Sequence, residues 1–360
     1  FSSLSNDLGF YDGFTTMFYQ SITWGVPYLL GRIYLSELIG MRDLAIGIFM
    51  GGLLYVPLCL LEVRLSPQLH TWIYGFFPHD SFDQSLRYGG YRPTVFMEHG
   101  LMVAMWMSMA SLCGLWLWHS RTLRSLFGIA LPWFLVPLLL TTILCKSMGP
   151  LVLLLVGGIV LLATRWGRTR AFVTALACAP LLYFAVRIPA IWSGDELTQT
   201  AAAVSPDRAK SLQFRLANED MLLARARLRP LLGWGGWGRA RIRDSQGRDI
   251  SVTDGLWIIA LGNNGLLGLG SLAAVLVSPI FGLFRRIPLP AWSHPMAAPA
   301  VVLSVMVLLY LIDCVFNDMK NPAYVMAGGG LVGLKLGKVI KSPLKAARVE
   351  DVRWVPRSSS

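Results

Sequence analysis

Charged residues are scarce in this chain of 360 residues: 14% of them are Asp, Glu, Lys or Arg, whereas 54% are hydrophobic. A soluble domain of ordinary composition carries roughly 25% charged residues, so this scarcity argues against the soluble globular class. The mean hydropathy of +0.55 is typical of a membrane protein instead. Backbone polar groups cannot stay unpaired in hydrocarbon, so the long apolar runs of such a protein must be helices.

Cysteine is also sparse, and metal-binding motifs are missing. The five cysteines lie in or at the ends of apolar segments, at Cys59, Cys113, Cys145, Cys178 and Cys314. Their spacing fits neither a metal site nor a disulfide framework, so we interpret them as small apolar packing residues. The sequence contains no Asp-Asp or His-cluster metal motif. We therefore expect no cofactor and a metal-independent activity.

Nine apolar segments of roughly membrane length follow one another along the chain. They cover residues 15–35, 44–62, 100–118, 126–145, 150–164, 171–191, 255–284, 294–316 and 321–337. Arg32 interrupts the first segment, and the glycines at 328–330 loosen the last. The pattern predicts an all-α, polytopic transmembrane helical bundle of about nine spans. The chain begins at Phe1 without a signal-peptide pattern, and we expect further helices upstream.

The net charge of +12 follows from basic connections between spans, so we do not expect nucleic-acid binding. These basic residues are Arg121, Arg124, Arg165, Arg168, Arg170, Arg285 and Arg286, with Lys338, Lys341, Lys345 and Arg348 in the tail. The positive-inside rule places them in the cytoplasm, and the other connections then face outward. The predicted organisation is helices over 1–192 with an outer loop at 64–99, a large outer loop over 193–254, helices over 255–337 and a disordered basic tail over 338–360.

The predicted outer loop at 193–254 is polar and rich in arginine, although apolar segments flank it. Its arginines include Arg215, Arg225, Arg227, Arg229, Arg239, Arg241 and Arg243. Arginine suits phosphate, because its planar fork donates two parallel hydrogen bonds and stays charged. Two interpretations stay open from composition alone. The loop binds a lipid-linked phosphate or pyrophosphate, or it anchors the chain to anionic headgroups.

Local signals indicate that this loop is folded. Ser-Pro-Asp at residues 205–207 is typical of a helix start, and Arg225 and Arg229 would then share one helix face. Gly-Trp-Gly-Gly-Trp-Gly at residues 233–238 cannot form a regular helix, and its glycines allow a close approach of the backbone to a ligand. Its two tryptophans suit the headgroup level. The alternating arginines that follow predict a strand, which turns at residues 245–247 into a hairpin.

Candidate acids and bases stand at the predicted outer ends of the spans. Asp254 precedes a span directly, where a carboxylate serves as a general base or as a helix N-cap. Arg92, Glu98 and His99 end the other long outer loop; Glu98 and His99 form an acid/base pair or an interfacial turn. Charged groups from three separate segments at one rim favour a site over isolated structural roles.

The order of these motifs resembles the O-antigen ligase and O-antigen polymerase superfamily. The resemblance rests on Arg215, Arg-Pro-Leu-Leu-Gly-Trp-Gly at 229–235, Asp254 and Gly-Leu-Leu-Gly-Leu at 265–269. The turn at 142–149, centred on Ser147, and the loop at 90–100 are similar to further stretches of that family, although Met148 stands where an arginine is common. The resemblance covers about residues 90 to 270.

This resemblance implies a multi-pass glycosyltransferase of the bacterial inner (plasma) membrane, active at the periplasmic face. Its partners would be an undecaprenyl-pyrophosphate-linked oligosaccharide, an acceptor glycan or glycolipid, and the lipid bilayer. Arg215, Arg229, Arg239, Arg241 and Arg92 would bind the pyrophosphate. Asp254, or alternatively His99 or Glu98, would take the proton of the attacking hydroxyl. Ligases of the family carry a histidine where this chain has Asp254, so a polymerase or a divergent polysaccharide enzyme fits better.

The rival hypothesis is a transporter or flippase of an anionic lipid-linked glycan, which would use the same arginines without chemistry. A transporter needs charge along the bundle interior near the midplane. Charges within the predicted spans are few, chiefly Arg32, Arg187 and Asp313, whereas the predicted outer rim is crowded. This contrast favours an outer-face enzyme. A third class, a structural membrane subunit, predicts no effect from any single arginine change.

Overall fold

The computed structural model of the protein describes residues 1–78, 82–204 and 206–335. Its helices are α1 Ser2–Ser5, α2 Gly9–Gln20, α3 Val26–Tyr34, α4 Leu38–Leu65, α5 Leu69–Tyr74, α6 Gly100–His119, α7 Pro132–Leu144, α8 Met148–Gly167, α9 Ala171–Arg187, α10 Asp195–Val204, α11 Pro206–Arg227, α12 Leu256–Arg286, α13 Ala298–Phe316 and α14 Pro322–Gly333. Two short antiparallel hairpins pair β1 Leu86–Arg87 with β2 Gly90–Tyr91 and β3 Ser125–Leu126 with β4 Ile129–Ala130. The predicted basic tail lies outside the described residues.

The all-α membrane class is confirmed at the level of length and composition. Among the described residues, five helices are long and apolar enough to cross a membrane: α4, α6, α8, α12 and α13. Each of them overlaps one predicted span. Three of the remaining predicted spans correspond to the shorter helices α7, α9 and α14.

Two predicted spans differ most clearly from the helices observed. The segment at 126–145 becomes helical only at Pro132, because the hairpin β3–β4 takes up its first residues and turns at Gly128, whose φ is +81°. The first predicted span is divided into α2 and α3, which the π-helical turn Ser21–Gly25 joins. The count of nine spans therefore stays a prediction.

The chain forms two compact units, each assembled from separate stretches. The first unit contains Phe1–Val26, Thr174–Ser278 and Tyr310–Lys320. The second contains Pro27–Val173, Pro279–Leu309 and the described residues from Asn321 onward.

The second unit is built around α6, which packs against α4, α7 and α8. Small residues bring these helices close together. A side chain at Gly52 of α4 would overlap Ala110 of α6, and one at Gly114 of α6 would meet the ring of Phe49. Close packing of small residues is how apolar helices associate when burial from water does not drive them together.

The glycines at 328–330 of the last predicted span bring it close to a neighbouring helix. They lie within α14, and they let α14 cross α3 in backbone contact. A side chain at Gly329 would overlap the carbonyl group of Tyr28, and one at Gly31 would overlap that of Met326. The helix is nevertheless short: it has 12 residues and is not among the described helices that are long enough to cross a membrane, so the last predicted span stays one of the weakest.

In the first unit, α12 is broken at Gly265, where φ is 66° and ψ is −163°. The broken turn is completed by the loop at 230–235. Leu266 N–H donates to the carbonyl of Pro230 over 2.7 Å, and Trp234 N–H donates to that of Gly262 over 2.9 Å. Irregular backbone within an apolar helix is tolerated when other protein groups supply the missing partners.

We call this contact between the broken turn of α12 and the loop at 230–235 the interlock. Two glycines make it possible. A Cβ at Gly233, whose φ is +68°, would stand 2.6 Å from both the Asn263 carbonyl carbon and the Gly265 nitrogen. A Cβ at Gly265 would overlap the carbonyl of Leu231. The glycines of this motif therefore admit another stretch of the same chain, whereas the sequence suggested an approach to a ligand.

Candidate functional site

The predicted helix of the arginine-rich segment is α11. It begins at Pro206 as expected, although Ser205 lies outside the described residues. It ends at Arg227, three residues before Pro230. After the helix end, Leu228 N–H donates to Arg225 O and Arg229 N–H donates to Ala226 O. The predicted turn at residues 245–247 is also present: Gly247 N–H donates to Asp244 O, and Arg243 bridges Asp249 in antiparallel register. Helix α10, which precedes α11, was not predicted.

Arg215 of α11 joins three segments of the first unit. Its Nε lies 3.6 Å from Oδ2 of Asp254, just before α12, and its Nη1 donates to the carbonyl of Phe316, the last residue of α13, over 2.8 Å. The side chains of Arg215 and Asp254 are 31% and 36% exposed, so water and a ligand can reach them. Arg215 thus neutralises a helix C-terminus and a carboxylate together.

Asp313 completes what we call the Arg215 cluster, which consists of Arg215, Asp254 and Asp313. Asp313 is buried in the last turn of α13, where its Oδ1 accepts from Asn317 Nδ2 over 2.7 Å, and its charge interacts with Arg215. The sequence placed Asp313 among mid-span charges. It lies instead in the last turn of α13, the helix whose terminal carbonyl at Phe316 accepts a hydrogen bond from Arg215. A phosphate that binds Arg215 has to share this cation with the two carboxylates.

Arg229 and Arg239 converge on the N-terminal segment of the first unit. Arg229 Nη1 donates to Ser5 O over 3.1 Å and to Asn6 Oδ1, and Arg239 Nη1 donates to Asn6 O. Asn6 is buried, and its Nδ2 donates to Gly233 O over 2.9 Å. Asn6 was not among the predicted residues, because its partners are more than 200 positions away in sequence.

Trp234 lies between two guanidinium groups. The Cζ atom of Arg225 stands 3.5 Å from its ring centroid, and that of Arg229 stands 4.7 Å away. Its Nε1 donates to Arg225 O over 2.9 Å. Stacking of this kind orients the guanidinium planes and leaves their edges to donate. Trp237, in contrast, is exposed and donates to Asp12.

Arg241 has a separate carboxylate partner. Its Nη1 lies 2.7 Å from Asp249 Oδ2, and its Nη2 donates to Thr253 Oγ1 over 3.3 Å. Desolvation raises the pKa of Asp249, but the hydrogen bonds from Arg241 and Ser251 outweigh it, so this pKa is lowered. The four predicted phosphate-binding arginines of this unit thus form three groups: Arg215 with its cluster, Arg229 with Arg239 around Asn6, and Arg241 with Asp249.

Arg187 has a structural role that the sequence did not reveal. It is fully buried at the end of α9, and its Nη2 lies 3.4 Å from Glu219 Oε2 and 3.0 Å from Asp220 Oδ1. Its Nη1 donates to the carbonyls of Trp192 and Ser193. Burial raises the pKa of Glu219 despite its hydrogen bonds to Tyr183 and Arg187. Arg187 therefore ties α11 to α9 and is not a free charge within a span.

Arg92, Glu98 and His99 belong to the second unit. Arg92 is buried, and its Nε donates to Ser147 Oγ over 3.0 Å, which brings together the two loops that the resemblance singled out. Lys146 adds a second cation at this point, because its Nζ occupies the space that a side chain at Gly90 would need. Arg92 and Lys146 can therefore supply positive charge at the start of α8.

His99 is the N-cap of α6. Its Nδ1 accepts from Leu101 N–H over 2.9 Å, so this nitrogen is engaged in the helix end. Glu98 is exposed beside it. This geometry favours the interfacial-turn interpretation of the two residues over an acid/base pair.

Glu62 was missed by the sequence reasoning, although it is a lone carboxylate late in an apolar helix. It is buried, and its two oxygens accept from the backbone N–H groups of Leu69, Thr94 and Val95 over 2.7–2.8 Å. Three such bonds satisfy a buried carboxylate. Glu62 thus fixes the loop that carries Arg92.

No protein-family model matches the chain, and the comparison with curated proteins finds no match. The assignment of a function therefore rests on the residues and their geometry.

Proposed function

We propose that this protein is a membrane glycosyltransferase that polymerises or ligates glycans from an undecaprenyl-pyrophosphate-linked donor. The observation that carries the proposal is the pairing of Arg215 with Asp254. A partly exposed cation suited to phosphate stands 3.6 Å from a partly exposed carboxylate, at the start of the membrane-length helix α12. Glycosyl transfer from a pyrophosphate needs these two kinds of group together.

In the proposed reaction, an acceptor sugar hydroxyl attacks the anomeric carbon of the donor glycan. The new bond joins the acceptor oxygen to that carbon, and the bond from the carbon to the pyrophosphate oxygen breaks. The leaving pyrophosphate keeps the electron pair, and Arg215 stabilises the charge that develops on it. Asp254 accepts the proton of the hydroxyl. A pyrophosphate is a good leaving group, so the step needs no metal in principle.

The other predicted residues have supporting roles in the proposal. Arg229, Arg239 and Arg241 of the first unit add positive charge for the second phosphate or for the approach of the donor. Arg92, in the second unit, stays a sequence-based prediction of a pyrophosphate-binding residue. Of the alternative bases, Glu98 keeps an exposed carboxylate, whereas the Nδ1 of His99 is occupied by the cap of α6. Asp254 is therefore the base that we favour.

We also propose the membrane and the side of it on which the protein acts. The positive-inside rule puts Arg165, Arg168 and Arg285 in the cytoplasm and the arginine-rich segment at the periplasmic face of the bacterial inner membrane. Nine spans satisfy this alternation. The long helices α4, α6, α8, α12 and α13 support the membrane part of this proposal.

Purified full-length protein in detergent tests the activity directly. An undecaprenyl-pyrophosphate-linked oligosaccharide is added without nucleotide sugar or metal, and products are followed on a gel. A ladder of lengthening glycans identifies a polymerase, and transfer to an added lipid A-core or other acceptor identifies a ligase.

The decisive variant is Arg215→Ala. We expect it to abolish product formation while the protein level stays unchanged. Arg243→Ala is the matched control, because Arg243 is exposed and donates only within its own turn, to Gly247 O over 3.2 Å, among the contacts of the described residues. Normal glycan from Arg215→Ala at matched expression would overturn the proposal.

The second candidate is a transporter or flippase of an anionic lipid-linked glycan. The break of α12 at Gly265 favours it, because discontinuous helices are common at transporter binding sites. The break is filled by the backbone of the loop at 230–235, which makes it a weaker indication. Saturable donor binding without turnover of an intact donor would select this candidate.

A further inference from the structure

A cavity of about 500 Å³ lies within the second unit, and none of the residues of the proposed reaction lines it. It is lined by residues from α6, α8, α9, the turn Leu289–Ser293 and α13. Its volume is within the range of about 300–1,000 Å³ that is usual for small-ligand sites. The cavity is near the ends of three helices that are long enough to cross a membrane, α6, α8 and α13.

The charge of the cavity wall is positive. Arg165, in the last turn of α8, and Arg168, its C-cap, both line the cavity. The described residues of the lining include no carboxylate, and the ion pairs found between described residues involve neither arginine. Arg165 Nη1 donates to His119 Nε2, which leaves its other N–H groups for a ligand. The wall therefore offers two cations to an anion. The simpler role of these arginines is to complement the C-terminal dipole of α8. The hydrogen-bond donors beside them indicate that the cavity also binds a ligand.

Two buried hydrogen-bonding groups beside these arginines lack partners. Trp116 is 5% exposed and Thr164 is 3% exposed. Within the described part of the chain, Trp116 Nε1 and Thr164 Oγ1 have no hydrogen-bond partner. Leaving a buried donor unsatisfied costs about 1–3 kcal/mol, so such groups usually mark an absent acceptor. Both residues line the same cavity as Arg165 and Arg168.

The rest of the cavity wall is apolar, and a hydrogen bond and ring stacking fix the position of Trp292 within it. Trp292 donates its Nε1 to Ile287 O over 3.1 Å, and its ring stacks on Phe284 at 5.6 Å. The guanidinium of Arg170 lies over both rings. Leu161 and other aliphatic side chains complete the lining. A preformed site with cations, donors and an apolar wall suits an amphiphile that carries a phosphate.

We propose that this cavity binds the phosphate-bearing headgroup of an anionic phospholipid. The phosphate would accept hydrogen bonds from Arg165, Arg168, Trp116 and Thr164, while the glycerol backbone lies against Trp292. Basic pockets between membrane helices on the cytoplasmic side are a common form of such sites, and the positive-inside rule assigns this end of the helices to that side. The proposal does not depend on the glycosyltransferase activity.

The test measures lipid binding to the full chain, delipidated in detergent and placed in nanodiscs that contain phosphatidylglycerol or only phosphatidylcholine. Arg165→Gln/Arg168→Gln is compared with Arg121→Gln/Arg124→Gln, which removes the same charge from exposed residues that do not line the cavity. Measurements are made at about 1 M salt, where the Debye length falls to about 3 Å and general attraction to the surface is screened.

We expect the cavity variant to bind phosphatidylglycerol at least about tenfold more weakly than wild type, with the control variant close to wild type. Thr164→Val is the second variant, which preserves shape. It should raise the melting temperature of the lipid-free protein and reduce the increase that phosphatidylglycerol causes. Equal binding by both double variants would overturn the proposal. Full competition by inorganic phosphate would instead assign the cavity to a free anion.

Discussion

Arg215 and Asp254 lie side by side in the first unit, with Nε of the guanidinium 3.6 Å from Oδ2 of the carboxylate. Both side chains are about one-third exposed, and ion pairs at such positions contribute roughly 0–1 kcal/mol to stability. Replacing either residue should therefore leave the protein folded. The activity of such variants then reports on chemistry and not on unfolding.

The first prediction concerns the proposed base. Asp254→Asn keeps the shape of the side chain but cannot accept the proton, so we expect product formation to fall by roughly 10²–10⁴-fold. Asp244→Asn is the control, because Asp244 pairs with Arg248 across the turn and is outside the proposed site. Initial rates of oligosaccharide transfer measure both. An Asp254→Asn rate within a few-fold of wild type would move the base role to another residue.

The second prediction concerns the interlock of α12 with the loop at 230–235. Gly265→Ala forces a side chain into a left-handed backbone conformation and into the Leu231 carbonyl. We expect a loss of about 2–6 kcal/mol in stability, from about 1–3 kcal/mol of backbone strain and about 1–3 kcal/mol of overpacking. Gly270→Ala, in open space on the same helix, should be neutral or stabilising by up to about 1 kcal/mol. Thermal unfolding in detergent distinguishes them, and equal melting temperatures would contradict the interlock.

The third prediction concerns Arg187. Arg187→Met keeps much of the side-chain volume but leaves Glu219 buried without its cation, so stability should fall by about 3–5 kcal/mol. Arg285→Met removes an exposed arginine from the end of α12 and should change stability by less than about 0.5 kcal/mol. The apparent melting temperatures of the purified variants provide the comparison. A tolerated Arg187→Met would mean that the buried Glu219 does not depend on this cation.

The fourth prediction is a pH dependence. Burial raises the pKa of Glu219, so the folded state holds this proton more tightly than the unfolded state. Stability from this group is greatest at low pH and is lost as pH rises from the unfolded value of about 4.3 through the folded value. Glu219→Gln, neutral at every pH, should lack this loss.

The melting-temperature difference between Glu219→Gln and wild type should therefore grow in favour of the variant as pH rises towards neutrality. Glu37→Gln removes an exposed carboxylate, and its curve should run parallel to that of wild type. Parallel curves for Glu219→Gln as well would show that the Arg187 contact, and not burial, controls this carboxyl.

Local features of the chain were predictable from the sequence. The start of α11 at Pro206 follows from a residue whose fixed φ suits the first helical position. The turn at Gly247 follows from a glycine that adopts a φ of +79° without strain. Apolar length identified α4, α6, α8, α12 and α13, since hydrocarbon leaves a long apolar run no alternative to a helix.

The candidate site was predictable only as a set of residue types. Arg215 and Asp254 were both named, but their pairing depends on where α11 meets the start of α12. The role of Asp313 required the end of α13 to be known. The arginines of the segment looked equivalent in sequence, but their acceptors differ. Arg215 donates to Phe316, Arg229 and Arg239 donate to Asn6, and Arg241 donates to Asp249.

The sequence by itself determined the membrane class, the helical content and the concentration of arginine in one segment, because these depend on composition and on neighbours a few residues apart. Only the tertiary structure decided that α12 breaks at Gly265. The break depends on a distant acceptor, because the Leu266 N–H donates to the carbonyl of Pro230 and not to its own helix. It also decided that Arg187 and Glu62 are structural. A buried charge is tolerated only where distant parts of the chain supply its partners.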